Sequence, residues 1–379
     1  MTAAPMRVGL VVPRFAPYRG GVETYTANAA GALAAKGVAV TVITQVARDA
    51  RLPRAAECDG YTVERYRLPV DDVFDLPSPS AVRAASRRGR FEVLWVHGYH
   101  TPLAWLAAER AHVPVVFTPH YHGDGHTALR RVLHRVYRPA GRRLMAASRR
   151  IVVDTAAEAE LVLRDFPRHI HRESISVIPP AVVDPIGGRP PYPTLSPVVL
   201  TVARQEPYKR TDILIRAIAQ LHRRGVAGRL VVVGHGSGLV AYRELAARLG
   251  VVDDAVTFTG AVDDEELRRW WASASLYVTA SEKEAFGIGL AQALTAGLPV
   301  VASEIPAHRE VIGNAGSEAL AQLCDDDGPE DDTVSRYAAA MAGFLSAADS
   351  RKQRAACCGF PTAQELDDQL LQTLNMAAL

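Results

Sequence analysis

The sequence predicts an α/β chain made of two doubly wound domains, and three observations carry that prediction. The chain has 379 residues, more than one ordinary core accommodates, so two domains are expected. Short β-branched runs alternate with helix-period stretches along its length, the signature of parallel sheets with crossover helices. The alternation breaks at IPPAVVDPIGGRPPYPTLSP (178–197). Proline fixes its own φ and pushes the preceding residue out of the helical region, so this stretch reads as an interdomain linker.

Taken in order, the first half has strands at RVGLVVP (7–13), VAVTVIT (38–44), FEVLWVH (91–97), PVVFT (114–118) and IVVD (151–154). YTVERYRL (61–68) alternates apolar and polar residues and suits a strand nearer an edge. Helices fill the gaps, for example over 22–36 and 126–147. A second series begins with PVVLTVA (197–203) and continues with RLVVVG (229–234), AVTFTG (255–260), SLYVTA (275–280) and LPVVAS (298–303). Between the first two of these, Ile213, Leu214, Ala217, Ile218 and Leu221 share one helix face, with Thr211 as the expected N-cap. From 325 the pattern gives way to DDDGPEDD, read as an acidic loop, and Leu366, Leu370, Leu371 and Leu374 then form one helical stripe. The expected division is an N-terminal domain over 1–184, a linker over 185–197 and a C-terminal domain over 198–358. A final helix over 359–379 is expected to pack back toward the N-terminal domain. Open parallel sheets bind ligands at the carboxyl ends of their strands, so both loop sets are expected to face a common cleft.

Composition narrows the function classes. The formal charge is +2 and 22% of residues are charged, a balance that does not point to nucleic acid. Of 43 basic residues only Lys36, Lys209, Lys283 and Lys352 are lysine, which reflects GC-rich coding rather than recognition. Cys58, Cys324, Cys357 and Cys358 show no CxxC spacing, so neither a disulfide framework nor a zinc knuckle is expected. No apolar run reaches membrane-spanning length, and MTAAPMRVGLVVP runs straight into a strand, so a cytoplasmic protein is expected.

Four loops carry the candidate chemistry. In PRFAPYRGGVETY (13–25), Gly20 and Gly21 precede a helix and leave room for a ligand to approach the backbone, although a plain tight turn has the same sequence. In ARQEPYKRTD (203–212), Arg204 and Lys209 stand at a strand's carboxyl end just before a helix N-terminus. Two fixed cations there can hold a diphosphate without a metal ion; the bland alternative is a solvated charged turn. VVVGHGSGLV (231–240) ends a strand in glycines, Gly234 first, a weak signal by itself. The most specific stretch is SEKEAFGIGLAQALTAGLPVVAS (281–303). Its turn places the amides of Phe286, Gly287 and Ile288 at a helix N-terminus, where they can meet an anion or sugar hydroxyls. Glu284 sits on the rim of that turn and Gln292 follows one to two helical turns on, so the two polar groups can bracket a ligand with several hydroxyls.

With these stretches in order, nearly the whole chain resembles the retaining glycosyltransferases of family 4, which have the two-domain GT-B fold. The likeness rests on GGVETYTANAAGALAAKGVAVTVIT, VLWVHGYH, VVFTPHYHG, ISVIPPAVVD, RQEPYKRTDILIRAIAQL, VVVGHGSG, VTFTGAVDDEEL and EAFGIGLAQALTAGLPVVAS. The resemblance implies a nucleotide-diphosphate sugar, a UDP- or GDP-sugar, as co-substrate and a small-molecule hydroxyl acceptor, with no resident cofactor or metal. It also implies roles. Arg204 and Lys209 would hold the donor diphosphate, and Glu284 the sugar hydroxyls, helped by the amides of Phe286 to Ile288. Gly21 would approach the phosphates, His120 would lie beside the transferring sugar, and Glu23 would lie nearer the acceptor side. His97, at a strand end, is a further candidate for the acceptor side, although a lone strand-end histidine is as often structural. Two positions depart from the family pattern. Gln292 replaces the second glutamate of the E-x7-E motif, which binds the ribose, keeping an acceptor oxygen but losing the charge. Arg210 stands where the family usually has glycine.

Other readings compete. HYHGDGH (120–126) is similar to the H-x-H-x-D-H run of zinc hydrolases, but Gly125 separates Asp124 from His126 and breaks the spacing. A nucleotide-sugar epimerase of the same architecture would need no acceptor, and a non-catalytic binder would hold donor without turnover. The run 127–150 holds eight arginines and no acid. It reads as a solvated basic face, as a contact with the acidic C-terminal loop or as a weak contact with anionic lipid, with Pro139 and Gly141 interrupting the helix.

Overall fold

The structure, a computed structural model, describes residues 4–18, 20–70, 76–123, 128–194, 196–346 and 360–379, and only the backbone of 128–136. The expectations for Asp124 to His126 and for Cys357 and Cys358 lie outside the described residues. The chain divides into two compact units, Met1–Ala181 with Pro361–Leu379, and Val182–Phe360.

The first unit is built on strands β1 (Arg7–Val11), β2 (Ala39–Val46), β3 (Ala55–Cys58), β4 (Tyr61–Arg67), β5 (Val93–His97), β6 (Val115–Thr118), β7 (Arg150–Val153) and β8 (Ile175–Val177). Their order is β3-β4-β2-β1-β5-β6-β7-β8. Every pairing is parallel except β3 with β4. That hairpin, which the sequence reading passed over, turns through Asp59 and Gly60, both at positive φ (44° and 83°). An Asp-Gly pair flanked by strand-forming residues is the sequence signal of such a two-residue turn. Strands β1 and β5 are buried almost throughout, as a parallel sheet covered by helices on both faces requires. Helices α1 (Gly21–Ala35), α2 (Pro79–Ala85), α3 (Pro102–Glu109), α4 (Ala128–Ala147) and α5 (Ala156–Asp165) cover it. Contrary to the sequence expectation, α4 is not interrupted: Pro139 lies within it. Gly141 brings the helix against Tyr99, whose ring atoms would stand 2.5 Å from any Cβ there.

The second unit carries β9 (Val198–Val202), β10 (Arg229–Val233), β11 (Val256–Gly260), β12 (Ala274–Thr279), β13 (Val300–Ser303) and β14 (Ala321–Cys324). They form one parallel sheet in the order β11-β10-β9-β12-β13-β14. Its helices are α6 (Thr211–Arg223), α7 (Leu239–Arg248), α8 (Asp264–Ser273), α9 (Ile288–Thr295), α10 (Pro306–Ala315) and α11 (Glu330–Ser346). The apolar face of α6 packs as its periodicity requires. Ile213, Leu214, Ala217, Ile218 and Leu221 join a core that includes Val199, Leu230, Tyr337 and Met341. The acidic stretch is only partly a loop, because α11 begins inside it at Glu330 and uses Glu330, Asp331 and Asp332 in its first turn. Acidic side chains there complement the positive end of the helix dipole.

A last helix, α12 (Ala363–Ala378), belongs to the first unit. Thr362 and Glu365 close a capping box at its start. Leu366, Leu370, Leu374 and Ala377 enter the same core as Val8, Leu10 and Trp95, and Asp368 meets Lys36, the C-cap of α1, at 2.5 Å. Among the described residues no helix is long and apolar enough to cross a membrane.

Candidate functional site

In the second unit the order in which strands are added to the sheet reverses at β9. The next strand, β10, lies on one side of it and β12 on the other. The loops that follow β9 and β12 therefore leave adjacent strands at the switch point, where doubly wound sheets place their ligands. A backbone hydrogen bond from Glu282 to the carbonyl of Tyr208, 2.9 Å long, ties the two loops together. At that junction the Lys209 ammonium donates to Glu284 Oε1. Their side chains are only 13% and 17% exposed, so each is the other's principal charge partner. Burial would push the Glu284 carboxyl up. The Lys209 charge beside it, the Lys209 hydrogen bond and one from Ser281 together outweigh that and hold the carboxyl below its ordinary range.

The turn after Glu284 takes the expected form. Gly287, at φ 97°, is the N-cap of α9, a left-handed conformation in which a Cβ would be strained. Ile288 opens the helix, while the Phe286 ring is buried in the core. Gln292 is half-buried on α9, with no hydrogen bond to Glu284 among the described residues. Arg204 is exposed at the carboxyl end of β9.

Two expectations for this loop need correction or gain a reason. Thr211 is not the N-cap of α6; it is the first helical residue, and Arg210 caps the helix in the left-handed region at φ 48°. A glycine would adopt that conformation freely, which gives Arg210's departure from the family pattern a physical meaning. Ion pairs of Arg210 to Asp212, Glu282 and Glu330, at 3.3–3.4 Å, tether the side chain in place. Freed from capping, Thr211 donates instead to Gln205 Oε1 at 2.8 Å.

Gln205 is a residue the sequence reading missed. It is fully buried, and its amide nitrogen donates to the carbonyls of Ala203 and Val233 at 3.0 and 3.1 Å. Its main chain bonds to His235 and Gly238. It thus joins the loop after β9 to the glycine loop after β10. Gly234 is fixed by the same contact: at φ 120°, any Cβ would be driven into the carbonyl of Ala203. An uncharged side chain between Arg204 and Glu206 was the only trace of Gln205's role in the sequence.

The first unit brings together a second group. His120, at φ 48°, presents Nδ1 to Asp154 Oδ2 at 2.9 Å, so Nδ1 carries the proton. Its Nε2 faces His97 Nδ1 at 3.4 Å, and Tyr25 stands edge-on to the His120 ring and tilted against that of His97. Burial, then the neighbouring His120, pushes His97 well below the usual imidazole value, so it is neutral. Glu158 clamps the supporting loops, accepting from the amides of Tyr121 at 2.5 Å and Asp154 at 2.8 Å. Asp154 and Glu158 were not singled out from the sequence, since nothing local marks an acid 34 residues from its histidine as a partner. Gly20 and Gly21 open α1. Gly20 is extended, and what a Cβ there would meet is the Glu23 carboxylate folded back over it. His122 turns toward His100, with ring centroids 6.1 Å apart. Among the described residues no group of three or more His, Cys, Asp and Glu is placed to hold a metal ion.

Known proteins share both halves. Residues 196–345 match the model of the glycosyl transferases group 1, and residues 19–184 that of Glycosyltransferase Family 4. The chain is 30% identical to the D-inositol 3-phosphate glycosyltransferase of Stackebrandtia nassauensis, over 83% of this chain and 80% of that protein. Among solved structures it is similar to sucrose-phosphate synthase from Thermosynechococcus elongatus, with a TM-score of 0.75 and 19% identity over 98% and 96% of the two chains. It is also similar to Anabaena HepE in complex with UDP and glucose, with a TM-score of 0.67 and 17% identity over 98% of each chain. The structural likenesses establish the two-domain GT-B fold. With that fold and both halves matched in order, the chain belongs to glycosyltransferase family 4 and is an enzyme of the glycosyltransferase type.

Proposed function

We propose that this enzyme moves a sugar from a nucleotide-diphosphate sugar to the hydroxyl of a small-molecule acceptor, with retention at the anomeric carbon. The observation that supports this best is the meeting of Lys209, Glu284 and the Gly287 turn at the switch point of the second sheet. A cation, a carboxylate and a helix N-terminus are the groups needed to hold a diphosphate and a polyhydroxylated ring side by side. In this reading Arg204 and Lys209 hold the diphosphate and stabilise it as it departs. Glu284 accepts from sugar hydroxyls, and Gln292 from the ribose. His120, its tautomer fixed by Asp154, serves the transferring sugar, and His97 and Glu23 the acceptor. The HepE complex with UDP and glucose favours a uridine nucleotide. The inositol phosphate in the name of the Stackebrandtia relative favours a polyol acceptor.

Catalysis then consists of positioning together with electrostatic stabilisation of the leaving group. The acceptor attacks the face from which the diphosphate leaves, so no carboxylate nucleophile and no metal ion are needed. Two experiments test the reading. In a thermal-shift screen, a nucleoside diphosphate or its sugar should raise the melting temperature, because a ligand that binds only the native state stabilises it. Arg204→Ala and Lys209→Ala should each lose most turnover while the circular dichroism spectrum keeps its native form. Near-normal turnover in both variants removes the phosphate site.

A further inference from the structure

His308, in the first turn of α10, is a titratable group that the proposed reaction leaves unused. It is fully buried. Its Nδ1 lies 2.9 Å from the carbonyl oxygen of Ser303 and 3.2 Å from Ser303 Oγ. The Ser303 hydroxyl already donates to the carbonyl of Ser281 at 2.6 Å. Both neighbours of Nδ1 are therefore acceptors, and Nδ1 must carry the proton. Nε2 is left as a bare lone pair, buried and without a hydrogen-bond partner. The ring edge bearing it lies against Gly287, where a Cβ would stand 3.2 Å from Cδ2 and 3.4 Å from Nε2. This is the turn that follows Glu284.

The charged groups that act on His308 are Glu284, on the loop after β12, and Lys209, on the loop after β9. On its own helix, Arg309 is paired with Glu304 at 2.5 Å. Tyr277, beneath Glu284, is held neutral by burial and by that carboxylate. A diphosphate that takes up Lys209 must draw it from Glu284 and leave a largely buried carboxylate without its counter-charge, a costly state. We propose that His308 is a positioning residue for Glu284, its bare Nε2 taking one proton from solvent as Lys209 turns to the donor diphosphate. The new N–H bond makes an imidazolium, so the pair changes from Lys209 and Glu284 to His308 and Glu284 with no change in local charge. This rests on the reading that Lys209 meets a diphosphate. The direction of the electrostatics agrees. Burial holds His308 below the ordinary imidazole value, Glu284 and the Ser303 carbonyl pull it up, and Lys209 pushes it down. Withdrawing Lys209 therefore raises the affinity of Nε2 for a proton.

The test is titration calorimetry of the full chain with UDP-glucose and with GDP-mannose, in buffers of low and high ionisation enthalpy between pH 6 and 8. Their diester diphosphates do not titrate there, so proton uptake belongs to the protein. Wild type is expected to take up as much as one proton per nucleotide sugar bound. His308→Gln, which keeps a polar group near the position of Nε2 but cannot be protonated, is expected to take up none. Its KM for the same sugar nucleotide is expected to rise about tenfold, the equivalent of one pKa unit, with a smaller change in kcat. Measurable binding to wild type without proton uptake overturns the proposal, as does wild-type uptake in His308→Gln. If neither probe nor free UDP or GDP binds wild type, the donor reading falls and takes the proposal with it.

Discussion

Replacing Lys209 with methionine is expected to destabilise the second unit more than any surface substitution could, and the size follows from the geometry. Lys209 and Glu284 are 13% and 17% exposed and hydrogen-bonded to one another. Removing one member of a buried pair leaves the other charged and uncompensated, which costs about 3–5 kcal/mol; the residual exposure places this pair near the lower figure. For a unit of this size, about 3 kcal/mol lowers the melting temperature by roughly 6–12 °C. Glu284→Gln is expected to cost a comparable amount. The double variant regains about 2 kcal/mol relative to the sum of the two, because no stranded charge remains. The acid limb of the stability curve should change as well. Glu284 is held below its ordinary range, so the stabilisation it contributes is full above its unfolded-state value and lost as pH falls through the folded one. In Lys209→Met burial pushes the unpaired carboxyl above its unfolded-state value, so the sign reverses and the variant's deficit against wild type narrows as pH falls. The assay is a thermal and urea double-mutant cycle on the four proteins, followed by circular dichroism at pH 7 and pH 4.5. Strict additivity of the two single variants would refute the claim that the ion pair organises this junction.

Two further outcomes are expected. Gly234→Ala must hold a Cβ at φ 120° against the carbonyl of Ala203, so it should lose about 3 kcal/mol or more in urea unfolding, and donor binding with it. His97 is buried with its value pushed well below 6.5, so the unfolded chain binds a proton there before the folded one does. Its contribution to stability is full above about pH 6.5 and falls by up to about 1.4 kcal/mol per pH unit below it. A melting-temperature series from pH 7.5 to 5.5 should show a shallower fall in His97→Asn than in wild type.

Much of the fold was legible because the hydrophobic pattern of a buried parallel strand is local. β1, β2, β4, β5, β6, β7 and β9 to β13 all lie within a residue or two of the runs read from the sequence. Three strands escaped, and each for a stated reason. β3 alternates weakly in an exposed hairpin, β8 has three residues, and β14 (AQLC) has little β-branched character. The proline in α4 misled in the other direction, since the packing of Tyr137, Leu144 and Met145 against the first-unit core holds the helix through it.

By itself the sequence determined where strands and helices run, which loop carries Glu284 ahead of a glycine-capped helix, and which positions break the family pattern. These follow from periodicity, turn chemistry and N-terminal capping, all of which act over a few residues. Tertiary structure alone decided which side chains meet across the chain. It paired Lys209 with Glu284, 75 residues apart, and His120 with Asp154, 34 apart. It also placed Gln205 as the stitch between two loops, left the Nε2 of His308 bare and put Arg210 in a glycine's conformation. Strand order in a sheet brings distant loops to one edge, and no local pattern encodes which loops those are.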